Sequence, residues 1–152
     1  MVFKEYEDPS ELKRLQELSE TVLAEFDRVC RELDIPYFAY AGTALGAVRH
    51  GGFIPWDDDI DVAMPRDAYE RFLANAPALL DERFEVANTR TEPDFTSPYS
   101  YLTLKGTCCI PDFYRACPYK NRSASTCSPS TRSPMTLRCA SARSRGTWLW
   151  AA

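Results

Sequence analysis

Leu12, Leu15, Leu18, Val22, Phe26, Val29 and Leu33 recur every three or four positions, with mostly charged and polar residues between them. That period draws one apolar stripe along a helix and turns the charges outward. The helix is expected to begin at Asp8-Pro9-Ser10-Glu11, where a capping carboxylate precedes proline at the first helical position and glutamate stands at the third; Pro36 stops it. The aromatic run from Tyr37 to Ala41 predicts a strand, and Ala44 to His50 a short helix. The pattern then changes to alternation. Asp59 and Asp61 share one parity while Ile60, Val62 and Met64 share the other, so an extended strand here packs one side into a core and shows two carboxylates to a cleft. Pro65 opens a further helix with Tyr69, Phe72 and Leu73 inward, ending near Pro77. Residues 83–88, 99–104 and 107–110 have the composition of strands in a mixed sheet, with Lys105-Gly106 as a turn. The succession predicts a compact α/β unit of the α+β kind, and its apolar stripes are core that requires no cofactor.

The chemistry is concentrated in Trp56-Asp57-Asp58-Asp59-Ile60-Asp61. Four carboxylates within five residues repel one another unless solvent or a divalent cation neutralises them, and hard oxygen donors suit magnesium, manganese or calcium. Residues i and i+2 of a strand lie about 7 Å apart on one face, so Asp59 and Asp61 reach one cation cluster. A calcium loop of the EF-hand kind requires a central glycine and a glutamate at its twelfth position, and neither is present; a plain solvated acidic turn is the other reading. Upstream, Gly42-Thr43 ends an apolar run before a helix. A strand, a small-residue turn and a helix start present backbone N–H groups to an anion, as in phosphate cradles, although the same glycines also serve tight turns and close packing.

The block from Gly42-Thr43-Ala44-Leu45-Gly46-Ala47-Val48-Arg49-His50-Gly51-Gly52 through Phe53-Ile54-Pro55-Trp56 to Asp61 resembles the signature of the LicD family of phosphocholine transferases, which includes fukutin-like proteins. The resemblance extends over about residues 10 to 121. It implies a nucleotidyltransferase-like mixed sheet flanked by helices and incomplete at the C-terminus. It also implies transfer of phosphocholine from a CDP-choline-like donor to a glycan or lipid-linked glycan acceptor of teichoic acid or lipopolysaccharide. Divalent ions perform such chemistry without a protein nucleophile. On this reading Asp59 and Asp61 hold Mg or Mn, and Asp57 or Asp58 orients a ligand or takes the acceptor's proton. Gly42 and Thr43 cradle the donor, and Arg49 and Arg66 contact its diphosphate. His50, the sole histidine, reads as structural. A non-catalytic cation- or nucleotide-binding domain, or a nucleotidyltransferase acting on a small alcohol, are the competing functions.

After residue 121 the chain changes character. Residues 1–121 carry all 22 acidic and 13 of the 18 basic residues, a formal −9, whereas 122–152 carry the other five basic residues, +5, in a Ser-, Thr- and Pro-rich stretch without periodicity. The expected division is therefore a LicD-like domain over 1–121 and an aberrant, unstructured basic tail over 122–152. A disordered basic linker is one explanation of the tail, and a frameshift is the other. Joining each codon's third base to the next two permits Ile-Asp-Val-Phe-Pro-Leu-Asp, the form of the family's following motif, whose first aspartate is a third metal-site carboxylate. On that reading the chain is truncated, leaves apolar strand edges uncovered and risks aggregation. The six cysteines form no CxxC pair and read as reduced thiols. With no leader or apolar span visible, a cytoplasmic location at or near the inner membrane face is expected. The net charge of −4 argues against nucleic acid as a partner.

Overall fold

The computed structural model describes residues 9–92, 95, 99–108 and 122–127. Helix α1 spans Pro9–Glu32, strand β1 Phe38–Ala39, helix α2 Ala41–His50, strand β2 Val62–Ala63 and helix α3 Arg66–Leu79. Strands β3 Phe84–Ala87, β4 Ser100–Cys108 and β5 Arg122–Cys127 follow. The class is mixed α and β, as expected. Every described pairing is antiparallel: β1 with β2 in one sheet, and β3-β4-β5 in another.

The apolar stripe of α1 makes the core. Val22, Phe26, Val29 and Cys30 meet Ile60, Val62 and Met64 from the acidic segment, Tyr69, Phe72 and Ala76 from α3, and Phe84 and Leu102 from the second sheet. Phe26 lies at its centre, fully buried, with ring centroids 4.9 Å from Tyr37 and 5.0 Å from Phe72. The C-terminus of α1 closes by a Schellman arrangement. Asp34 takes φ 51°, Ile35 N–H donates to the Cys30 carbonyl at 2.8 Å, and Asp34 N–H to the Arg31 carbonyl at 3.2 Å.

Three elements differ from the sequence pattern. Lys105-Gly106 is not a turn: β4 runs through it, because Lys105 N–H donates to the Arg83 carbonyl at 2.7 Å and prolongs the ladder with β3. Pro77 lies inside α3 rather than ending it. Proline there removes a single intrahelical donor, and the last turn is held by Leu80 N–H on the Ala76 carbonyl at 2.9 Å. Finally, residues 122–127 form β5 beside β4, with Ser100 opposite Cys127 and Thr103 opposite Ala124, where a tail without structure was expected. The rest of that tail, the candidate cap Asp8 and residues 109 and 110 of the last predicted strand lie outside the described residues.

Cys30 is the buried thiol of this core, 1% exposed, and burial pushes its pKa up to about 12. A thiol ionising ordinarily near 8.5 alkylates readily at mildly alkaline pH because the thiolate is the nucleophile. Peptide mapping after iodoacetamide treatment at pH 8.5 is therefore expected to find Cys30 unmodified in native protein and modified in denaturant. Since the unfolded chain releases this proton first, Cys30 also makes stability fall as pH rises from about 9 toward 12.

Candidate functional site

The site is built where β1, α2 and the loop before β2 meet. β1 is only two residues long because α2 begins at once: Ala41 takes a left-handed φ of 46°, and Gly42 and Thr43 fall in the first helical turn rather than ahead of it. Gly42 makes room for the acidic loop. A Cβ there would lie 2.6 Å from Asp57 Oδ2, so the absent side chain lets this carboxylate lie against the start of α2, where the positive end of the helix dipole favours it. Gly46, one turn further on, is buried against the backbone of residues 52–54.

Residues 57–61 lie outside the ladder, which holds only Val62 and Ala63. Ile60, Val62 and Met64 enter the hydrophobic core as the sequence pattern predicts, but Asp59 and Asp61 between them are buried as well, at 6% and 8% exposure, rather than open to a cleft. One oxygen from each of Asp57, Asp58 and Asp59 falls within 4.8 Å of the others. Asp61 is not among the three. Its backbone is fixed instead, with its N–H donating to Thr43 Oγ1 at 2.7 Å and its carbonyl accepting from Tyr40 N–H at 2.9 Å. The Oδ1 atom of its carboxylate is enclosed and meets no hydrogen-bond donor. Converging carboxylate oxygens, two of them half-buried and one buried, are the donor set of a hard divalent cation such as Mg or Mn, so these residues fit the metal the sequence implies.

The other residues singled out in the sequence are distributed differently. Thr43 is at the site, though its hydroxyl oxygen serves Asp61. Arg49 and His50 are exposed in the last turn of α2. Arg66 lies at the start of α3 in an ion pair with Glu70 at 2.8 Å, its guanidinium over the Tyr69 ring at 5.5 Å. Glu70 is shared, and a hydrogen bond from Arg90 more than the contact with Arg66 holds its carboxyl below the usual range. One contributor has no sequence signal. Gln16, on α1, donates from Nε2 to the Asp57 carbonyl at 2.8 Å across 41 residues of chain.

Residues 34–106 match the family model described as LicD/FKTN/FKRP, nucleotidyltransferase domain. The match takes in the whole β1–α2–loop–β2 unit and leaves α1 outside. Among curated proteins, the lipopolysaccharide cholinephosphotransferase LicD of Haemophilus influenzae is 40% identical over 89 residues, 59% of this chain and 32% of that protein. The human ribitol 5-phosphate transferase FKRP is 32% identical over 91 residues, 57% of this chain and 18% of that protein. An uncharacterised Rickettsia prowazekii protein is 55% identical over 31 residues, 20% of this chain and 12% of that protein. The chain thus spans less than a third of the length of these relatives. No solved structure matches it.

Proposed function

Residues 34–106 being a LicD-family domain, we propose that this protein takes part in metal-dependent transfer of a phosphodiester headgroup, phosphocholine in first place, from a CDP-linked donor to a glycan hydroxyl. The convergence of Asp57, Asp58 and Asp59 beside the α2 N-terminus carries the proposal. A divalent cation bound there neutralises charge on the donor's diphosphate oxygens.

The chain's own residues do the rest. Asp57, Asp58 and Asp59 supply the oxygen ligands, and the buried Asp61 carboxylate stands next to them in the chain. The Thr43 hydroxyl, accepting from Asp61 N–H, keeps its proton to donate to a phosphate oxygen. Gly42 and the first turn of α2 bring backbone N–H groups to the same place. In the transfer, the acceptor hydroxyl oxygen bonds to the phosphorus that carries choline, the bond from that phosphorus to the bridging oxygen breaks, and CMP leaves. The hydroxyl proton goes to a carboxylate oxygen outside the ligand set, for which we assign the second oxygen of Asp58, since Asp57 lies against the helix start. Arg49, exposed at the far end of α2, is the better candidate for a diphosphate contact, because Arg66 is held by Glu70.

The similarity to FKRP makes ribitol 5-phosphate the competing headgroup. Among the described residues, no helix is long and apolar enough to cross a membrane. The test is CMP release from CDP-choline and from CDP-ribitol, with lipopolysaccharide or teichoic acid as acceptor, in Mn²⁺ and again in EDTA. Manganese-dependent release from CDP-choline supports the reading, and a preference for CDP-ribitol moves it to the other headgroup. Manganese binding without CMP release from either donor sinks the transferase reading and leaves a cation-binding domain.

A further inference from the structure

Resting on the cation site proposed above, we infer that Gln16 of α1 is a positioning residue for it: its side-chain amide fixes the acidic loop in the shape that brings three carboxylates together. The loop has no ladder to hold it. Residues 57–61 lie outside the β1–β2 pairing, and the like charges of Asp57, Asp58 and Asp59 push that segment apart. Hydrogen bonds to its backbone resist this. Asp57 N–H donates to the Ile54 carbonyl at 2.9 Å, and Asp57 O accepts from Gln16 Nε2 at 2.8 Å.

These two bonds set the planes of the peptides before and after Asp57. A peptide is rigid, so fixing the carbonyl of Asp57 also fixes the Asp58 nitrogen and limits the directions in which both side chains leave the chain. Farther along, the bonds of Asp61 to Thr43 and Tyr40 fix the other end. Gln16 is the anchor that comes from outside the family-matched segment, since α1 ends at Glu32 and the match begins at residue 34. Its amide is half-buried, and its bond is made to a backbone atom, so Gln16 itself takes up no carboxylate oxygen of the loop.

The variant that isolates this role is Gln16→Met, which keeps side-chain length and helix propensity while removing the donor; Gln16→Ala removes the donor and the packing together. Trp56 adjoins the acidic run and serves as antenna for terbium luminescence, with Trp56→Phe as the control for the source of the signal. Removing a group that orients metal ligands weakens metal affinity about 10- to 100-fold. Both Gln16 variants of the full chain are therefore expected to bind Tb³⁺ at least about tenfold more weakly than the native protein. They should keep its circular dichroism spectrum and show more water on the bound ion by luminescence lifetimes in H₂O and D₂O. Native affinity and native lifetime in Gln16→Met overturn the inference while leaving the cation site intact. If the native chain itself does not bind Tb³⁺, or binds it unchanged in Asp59→Asn, the cation site falls and the inference with it. A loss of affinity in Gln16→Ala alone also overturns it, because the effect would then come from packing.

Discussion

Gly46→Ala is expected to destabilise the protein by about 2 kcal/mol or more and to lower its melting temperature by roughly 5 to 15 °C. Two effects of opposite sign compete. Alanine is the better helix former by about 1 kcal/mol, and Gly46 lies in the middle of α2, so propensity alone favours the substitution. Against it, the new Cβ would stand 2.5 Å from the Gly52 carbonyl oxygen, 2.9 Å from Ile54 N and 3.2 Å from the Phe53 carbonyl carbon. All three are backbone atoms, so no side chain can rotate away. Overpacking of this kind costs about 1 to 3 kcal/mol where neighbours are flexible, and here the whole 52–54 segment has to move. That segment leads directly into the acidic loop through the Ile54 carbonyl, which holds Asp57 N–H, so cation affinity should fall with stability. Gly52→Ala is the matched control. A Cβ at Gly52 meets nothing within 4 Å, and calorimetry should find it close to the native protein. A Gly46→Ala melting point within a degree of native would show that the loop gives way freely and that α2 does not set its position.

Much of this was legible in the chain because it is local. The apolar stripe of α1 defines a face without reference to anything else, and four of its members, Leu15, Val22, Phe26 and Val29, are buried, joined by Ser19 and Cys30, which the stripe did not include. The core positions Ile60, Val62 and Met64 were legible for the same reason, whereas the exposed face expected opposite them was not, since Asp59 and Asp61 are buried too. What the alternation does not decide is where pairing stops. β1 and β2 pair over two residues each, since the left-handed turn at Ala41 diverts the chain into α2, and residues 57–61 are left free of strand geometry. An extended strand would present Asp59 and Asp61 together and turn Asp58 away. Outside the ladder, consecutive carboxylates converge instead, and the oxygens that meet belong to Asp57, Asp58 and Asp59. Arg66, expected at the donor's diphosphate, makes an ion pair that Glu70, four residues later, already signals on one helix face. Gln16 is the opposite case. Nothing in its neighbourhood distinguishes it from the other polar residues of α1, because its partner is 41 residues away.

The difference between the two carboxylate sets gives the other large expected effect. Asp59→Asn should weaken manganese affinity about a hundredfold or more, on the ground that losing a ligand costs at least as much as losing a group that orients one. Its effect on the metal-free protein should have the other sign. Two like charges 4.8 Å apart repel by about 1 kcal/mol in a water-like medium and about 3 kcal/mol at an effective dielectric constant of 20, so neutralising one of three converging carboxylates relieves repulsion. Asp59→Asn should therefore melt higher than the native chain in EDTA. At a manganese concentration of 100 times the native Kd, the native chain gains about 2.7 kcal/mol from binding, whereas a variant with a hundredfold weaker site gains about 0.4 kcal/mol. The order of melting temperatures then reverses between EDTA and manganese, and CMP release from CDP-choline should disappear with the binding. Asp61→Asn is the comparison that separates the two sets. It keeps the backbone bonds to Thr43 and Tyr40, and with Asp57, Asp58 and Asp59 intact it should retain most of the manganese-induced stabilisation. Equal and complete loss in Asp59→Asn and Asp61→Asn would restore the strand-face pair as the metal ligands, and no loss in either would remove the acidic run from the site.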